Sequence, residues 1–121
     1  MYSLNVFGAK LEPCGHDPVT GFYRDGLCNT GPDDSGSHTV CCVMSLEFLE
    51  FSKNMGNDLS TPRQDYEFKG LKPGDKWCLC ALRWEEARQA GCAPLVVLES
   101  TNIKSLELVE LEHLKKYRYG N

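Results

Sequence analysis

Between Glu12 and His38 the chain passes Pro13, Gly15, Pro18, Gly21, Gly26, Gly31, Pro32 and Gly36. Proline fixes φ and removes an amide donor, and glycine loses the most backbone entropy on ordering, so no long helix or strand fits this segment. Within it, "RDGLCNTGPDDSGSHTVC" (Arg24 to Cys41) has Leu27 as its only aliphatic residue before Val40. A polar stretch of this length is uncommon in a small domain, and its fixed-geometry residues favour an ordered, functional loop over a slack connection. Residues 8–37 are therefore expected to form a long ordered N-terminal loop region, with the regular elements drawn mainly from the chain beyond it.

With 121 residues the chain is the size of one domain, 1–121, and too short for two independent cores. Hydrophobic residues at 41% and charged residues at 25% suit a globular fold. A formal charge of -4 repels phosphate backbones. The only basic aromatic cluster, "KKYRY" (Lys115 to Tyr119), suits the last turn of a helix, where cations complement the dipole. Nucleic acid is therefore not an expected partner. The longest aliphatic run, "LVVL", is far too short to cross a bilayer, and "MYSLNVFG" lacks a charged region followed by a long apolar run, so no membrane partner and a cytoplasmic location are expected. The cysteine count, seven, is odd, and without an export signal it favours reduced thiols over a disulfide scaffold.

Periodicity supplies the elements. Leu4 and Val6 alternate with polar neighbours as in a short first strand ended by Gly8. "HTVCCVM" is β-branched and apolar; alternation puts His38, Val40, Cys42 and Met44 on one face and Thr39, Cys41 and Val43 on the other. Ser45 is placed to cap a helix carrying Leu46, Phe48, Leu49, Phe51 and Met55, with Gly56 as its stop. "KWCLCAL" predicts a central strand with Trp77, Leu79 and Ala81 on one face and Cys78, Cys80 and Leu82 on the other. "RWEEARQAG" predicts a helix burying Trp84 and Ala87, and "LVVLE" a buried strand parallel to its neighbour. Thr101 is a candidate cap for one helical turn, Leu106 and Leu108 suggest a short strand, and Leu111 and Leu114 mark a last helix with a Glu112–Lys116 pair outside. The expected class is α+β (mixed α/β): four to five short strands, three helices and the loop.

The strings "LEPC", "TGFYRDGLCNTGPDDSGSHTVC", "GNDLSTP" and "GLKPGDKWCLCALRWEEARQAGCAPLVVLEST" together resemble the bacterial domain-of-unknown-function family 2237. The likeness runs from about Leu4 to Tyr117. It implies no activity and no functional residues, because the family has none assigned. This chain has Cys42 where that family's pattern has alanine, Leu95 where it has a second proline, and Asn102 where it has histidine. Cys42 is thus a poor candidate for shared chemistry, and Asn102 cannot carry a proton for a histidine.

The residues themselves offer several constellations. Gly26 and Gly31 have P-loop spacing, but Pro32 and Asp33 stand where lysine and a hydroxyl are needed, so that reading fails. Asp25, Asp33 and Asp34 lack the spacing of a calcium loop and read more simply as turn residues. Cys14, His16, Cys28, His38, Cys41, Cys78 and Cys80 contain no C-x-x-C knuckle, so no metal site is expected; if one exists, Cys41, Cys78 and Cys80 are its candidates. In an extended strand Cys78 and Cys80 hold their Cβ atoms roughly 6 to 7 Å apart, too far for a mutual disulfide. Cys41 as nucleophile with His38 as base is hindered because residues three apart on a strand face opposite ways. The better set is His38 with Asp33 or Asp34 as acid–base candidates and Arg24 and Asp25 as ligand-binding ones, since a carboxylate orients an imidazole and a guanidinium holds an anion. Arg63 and Arg83 are further anion-binding candidates, with surface charge as the plainer role. The expectation is a small enzyme or ligand-binding domain for a polar or anionic small molecule. Its rivals are a structural or protein-interaction module with buried thiols and a small zinc domain. Cofactor and oligomeric state are not legible.

Overall fold

The computed structural model describes residues 3–66 and 68–120. Strand β1 (His38–Val43) lies between β2 (Lys76–Cys80) and β3 (Leu95–Val96), and both neighbours pair with it antiparallel. The sheet thus has three strands where four to five were expected. The segment around Leu4 and Val6 contributes only isolated bridges, Leu4 to Lys10 and Asn5 to Asn102. Ile103–Glu107 is a 3-10 helix capped by the Asn102 side chain, in place of the strand expected from Leu106 and Leu108. Thr101 caps one helical turn as expected, closing the 3-10 helix Leu98–Ser100 with its amide on Leu98 O, while its hydroxyl donates to Val97 O and accepts from Cys41 N.

Helix α1 (Leu46–Asn54) begins where its sequence requires: Ser45 Oγ accepts the Phe48 amide at 3.1 Å, and Gly56 leaves the helix at φ +91°. Helix α2 (Ala81–Gln89) follows β2 without a connecting residue and buries Ala81, Trp84 and Ala87. It carries the chain over β1 to β3, so β2 and β3 run the same way but are not paired with each other. This corrects the expectation of a strand parallel to its neighbour, for sheet order interposes β1. Helix α3 (Leu111–Lys116) buries Leu114, and its outer pairs are Glu110–His113 and Glu112–Lys115, one residue short of the Glu112–Lys116 spacing expected.

Two apolar clusters flank the sheet. The larger gathers Val40, Cys42, Met44, Phe48, Trp77, Leu79, Trp84 and Val96 with Leu98 and Leu114. The smaller consists of Cys14, Cys28, Cys41 and Cys78, with Val97 against it. Their separation follows from strand alternation: Val40, Cys42, Trp77 and Leu79 face one way, Cys41 and Cys78 the other. Trp84 is the largest fully buried side chain; its indole donates to Pro94 O at 3.1 Å and its ring meets Tyr117 edge-on. Trp84→Ala is expected to destabilise the chain by about 3–5 kcal/mol in urea unfolding, whereas Leu82→Ala on the exposed side of the same helix should change it by under about 0.5 kcal/mol.

Candidate functional site

The site begins with an irregularity in β1. His38 pairs with Cys80 and Val40 with Leu79, so Thr39 is an extra residue and the register shifts between them. Such a bulge turns one side chain to the other face of the sheet. His38 accordingly shares the face of Cys78 and Cys80, not that of Val40 and Cys42 as unbroken alternation predicted.

The loop closes around that imidazole. Asp34, its side chain fully buried, holds Oδ1 at 2.6 Å from His38 Nδ1, while Oδ2 accepts the His38 amide at 2.9 Å and the Thr30 hydroxyl at 3.0 Å. Burial alone pushes the Asp34 pKa up, but the bonds from His38 and Thr30 outweigh it and hold the carboxyl below its ordinary value. Gly36 is required by packing, since a Cβ there would lie 2.7 Å from His38 Cε1. The imidazole also stacks on Phe22, centroids 6.0 Å apart. With Nδ1 engaged by Asp34, Nε2 is the ring nitrogen without a partner among the described residues.

His38 lines a hollow of about 280 Å³ with Phe22, Arg24, Leu59, Trp77 and Cys78. Arg24 adopts φ +55°, donates to Gly21 O at 2.7 Å and lies over the Trp77 ring, 5.2 Å from its centroid. Arg24 and Trp77 also border a second hollow of about 460 Å³, where Asp17, Phe68, Lys69 and Lys72 contribute. The two spaces thus meet under one cation–π pair. A third cleft, between Ser3, Lys10, Tyr23 and Asn29, has no imidazole, carboxylate or thiol in its lining.

Of the residues singled out from sequence, Arg24, Asp34 and His38 come together here. Asp25 does not: it accepts from the Leu27 amide and the Asn29 side chain, a turn role. Asp33 is exposed and has no partner among the described residues. Arg63 sits by Asp65 at 3.7 Å, and Arg83 reaches Met55 O and Glu86; neither lines a hollow described above. Thr30, Phe22 and Trp77 were missed, and only the Thr30 to Asp34 to His38 spacing of four residues hinted at the first.

The thiol expectations are overturned. Cys14 is bonded to Cys41 and Cys28 to Cys78, so Cys41 is no nucleophile and four of the seven cysteines are not reduced. Cys42, Cys80 and Cys92 are free. The sulfurs close enough to share an ion are those of Cys14, Cys28 and Cys78, a group without Cys80. Cys78 and Cys80 are not bonded to each other, in line with their strand spacing.

Because its folded pKa is depressed, Asp34 contributes stability that is complete above about pH 4 and is lost as pH falls through the folded value. Glu85, held at about 2 mainly by Arg88, adds a similar acid-side term elsewhere. Asp34→Asn should therefore reduce stability by about 1–3 kcal/mol at pH 7 and show a shallower further loss between pH 7 and pH 3 than the native chain, read by urea titration at both values.

No helix among the described residues is long and apolar enough to cross a membrane. A comparison with curated proteins finds no match. Over residues 4–118 the sequence matches the model of a family described as "Uncharacterized protein conserved in bacteria (DUF2237)", and the chain belongs to that family.

Proposed function

We propose that the chain is a ligand-binding domain or small enzyme for an anionic small molecule with a flat apolar part. The observation that carries this reading is the His38–Asp34 pair opening onto a hollow that Arg24 and Trp77 share with the Lys69 and Lys72 side. A buried carboxylate on Nδ1 fixes the orientation of the ring, which leaves Nε2 to accept a proton from, or donate one to, a bound group. Phe22 and Trp77 offer ring faces, and the guanidinium and ammonium groups offer charge for a carboxylate or phosphate. Of the two functional classes, binding needs only this lining, whereas catalysis would assign His38 as general acid or base with Asp34 positioning it. Asp33 has no part in either.

A cytoplasmic location belongs to the same proposal and requires that the two buried disulfides persist in a reducing compartment. The rival reading, a structural or interaction module, draws support from the two disulfides that rigidify the loop and from the exposed Phe7 and Tyr23.

Phenyl phosphate, with inorganic phosphate as comparator, tests the choice by NMR. Binding predicts saturable shifts of the Trp77 indole and His38 ring signals at millimolar phenyl phosphate, at least about tenfold weaker in His38→Ala and Arg24→Gln, with melting temperatures little changed. If neither compound moves those signals, the ligand reading falls and the interaction module stands.

A further inference from the structure

Independently of the hollow, the four clustered cysteines carry a second site. Their sulfurs come from three segments: Cys14 and Cys28 from the loop, Cys41 from β1 and Cys78 from β2. The sulfurs of Cys14, Cys28 and Cys78 all lie within 4.8 Å of one another although they belong to two different disulfides, and Cys41 is bonded to Cys14. All four residues are at most 4% exposed. In a tetrahedral zinc tetrathiolate, Zn–S bonds of about 2.3 Å set sulfurs about 3.8 Å apart. Three of the four sulfurs therefore already lie near the spacing of such a centre, and Cys41, bonded to Cys14, is the fourth thiol beside them.

The four backbones are held by bonds other than the disulfides. Cys14 N donates to Gly26 O at 2.7 Å, and Cys28 O accepts from Asn102 Nδ2 at 3.0 Å. Cys41 N donates to Thr101 Oγ1 at 3.2 Å, and Cys41 O accepts the Val97 amide at 2.8 Å. Cys78 N donates to Thr20 Oγ1 at 2.7 Å, and Cys78 faces Cys41 across the β1–β2 pair. Opening both S–S bonds breaks none of these hydrogen bonds directly, and zinc–thiolate bonds from the same four residues would take over the covalent links' part in tying the loop to the sheet.

We infer that the reduced chain binds one zinc ion through Cys14, Cys28, Cys41 and Cys78, making the cluster a redox-dependent metal site. Two equivalents of a dithiol or phosphine reductant supply the electrons: each disulfide accepts two electrons and two protons to become two thiols, and the reductant is oxidised. Zinc then displaces four protons and is held by four thiolates. Reoxidation forms the two S–S bonds again, passes four electrons to an added disulfide or peroxide oxidant, and releases the ion. The same four sulfurs join the loop to the sheet in both states. Cys80, Cys42 and Cys92 take no part.

The test uses the full chain, reduced with a phosphine under inert atmosphere, incubated with zinc chloride and desalted, with zinc counted by mass spectrometry and folding followed by circular dichroism. One zinc per chain is expected after reduction and none in the disulfide form. The Cys80→Ser and Cys92→Ser variants should retain it, while Cys14→Ser and Cys28→Ser should lower affinity at least about a hundredfold. Cobalt in place of zinc should give the intense thiolate charge-transfer absorption of a tetrahedral sulfur site. A reduced chain that unfolds but regains its native spectrum on adding zinc supports the inference equally. It is overturned if reduced protein holds no zinc, folded or not, if the disulfide form binds it as well, or if binding survives Cys14→Ser and is lost in Cys80→Ser.

Discussion

The order of the long loop depends on two covalent links to the β1–β2 pair. Residues 8–37 form no helix and no extended strand, and their backbone is held mainly by turn bonds such as Cys14 N to Gly26 O and Gly26 N to Thr20 O. Such bonds contribute little individually against the entropy of about thirty residues. Closing loops of 27 and 50 residues by disulfides restricts the unfolded chain by about 3.5 and about 4 kcal/mol respectively, each taken alone, in the chain-entropy account. The links land on Cys41 and Cys78, directly opposite each other in the sheet, so the loop is tied to a hydrogen-bonded strand pair.

That attachment explains why a polar loop can hold the Asp34–His38 pair in a fixed geometry. The Asp34 carboxylate is buried without an apolar core around it, and its three bonds come from within eight residues, from Thr30 and His38. A local network of this kind holds its shape only if its ends are fixed. One end is β1 itself, through His38, and the other is Cys28, tied to Cys78 and through its carbonyl to Asn102. The Asn102 side chain thus acts as a donor to the Cys28 carbonyl and as a helix cap, roles in which an amide serves and no proton transfer is asked.

Local chemistry was legible in the sequence; pairing across the chain was not. The Ser45 cap, the Gly56 stop, the alternation of Trp77 and Leu79 against Cys78, and the buried Trp84 each depend on neighbours within a few residues, and they stand as read. The position of β3 beside β1 depends on sheet order, which a continuous apolar run does not encode. The bulge at Thr39 has no marker in "SHTVCC", and it alone changes the face of His38. The disulfides were hidden by an argument from parity: an odd number of cysteines excludes complete pairing, but it leaves room for two bonds and three free thiols. Convergence of Arg24 with Trp77 was equally out of reach, because it joins the loop to a strand 53 positions away, where Trp77 had read as core alone.

Cys78 belongs to two neighbourhoods at once, being bonded within the sulfur cluster and forming part of the wall beside His38. The residue that anchors one disulfide is thus also a lining residue of the hollow. Were a guest molecule held next to the imidazole, any shift it caused in the electron balance of the cysteines would, by thermodynamic reciprocity, equal the shift their oxidation caused in its affinity.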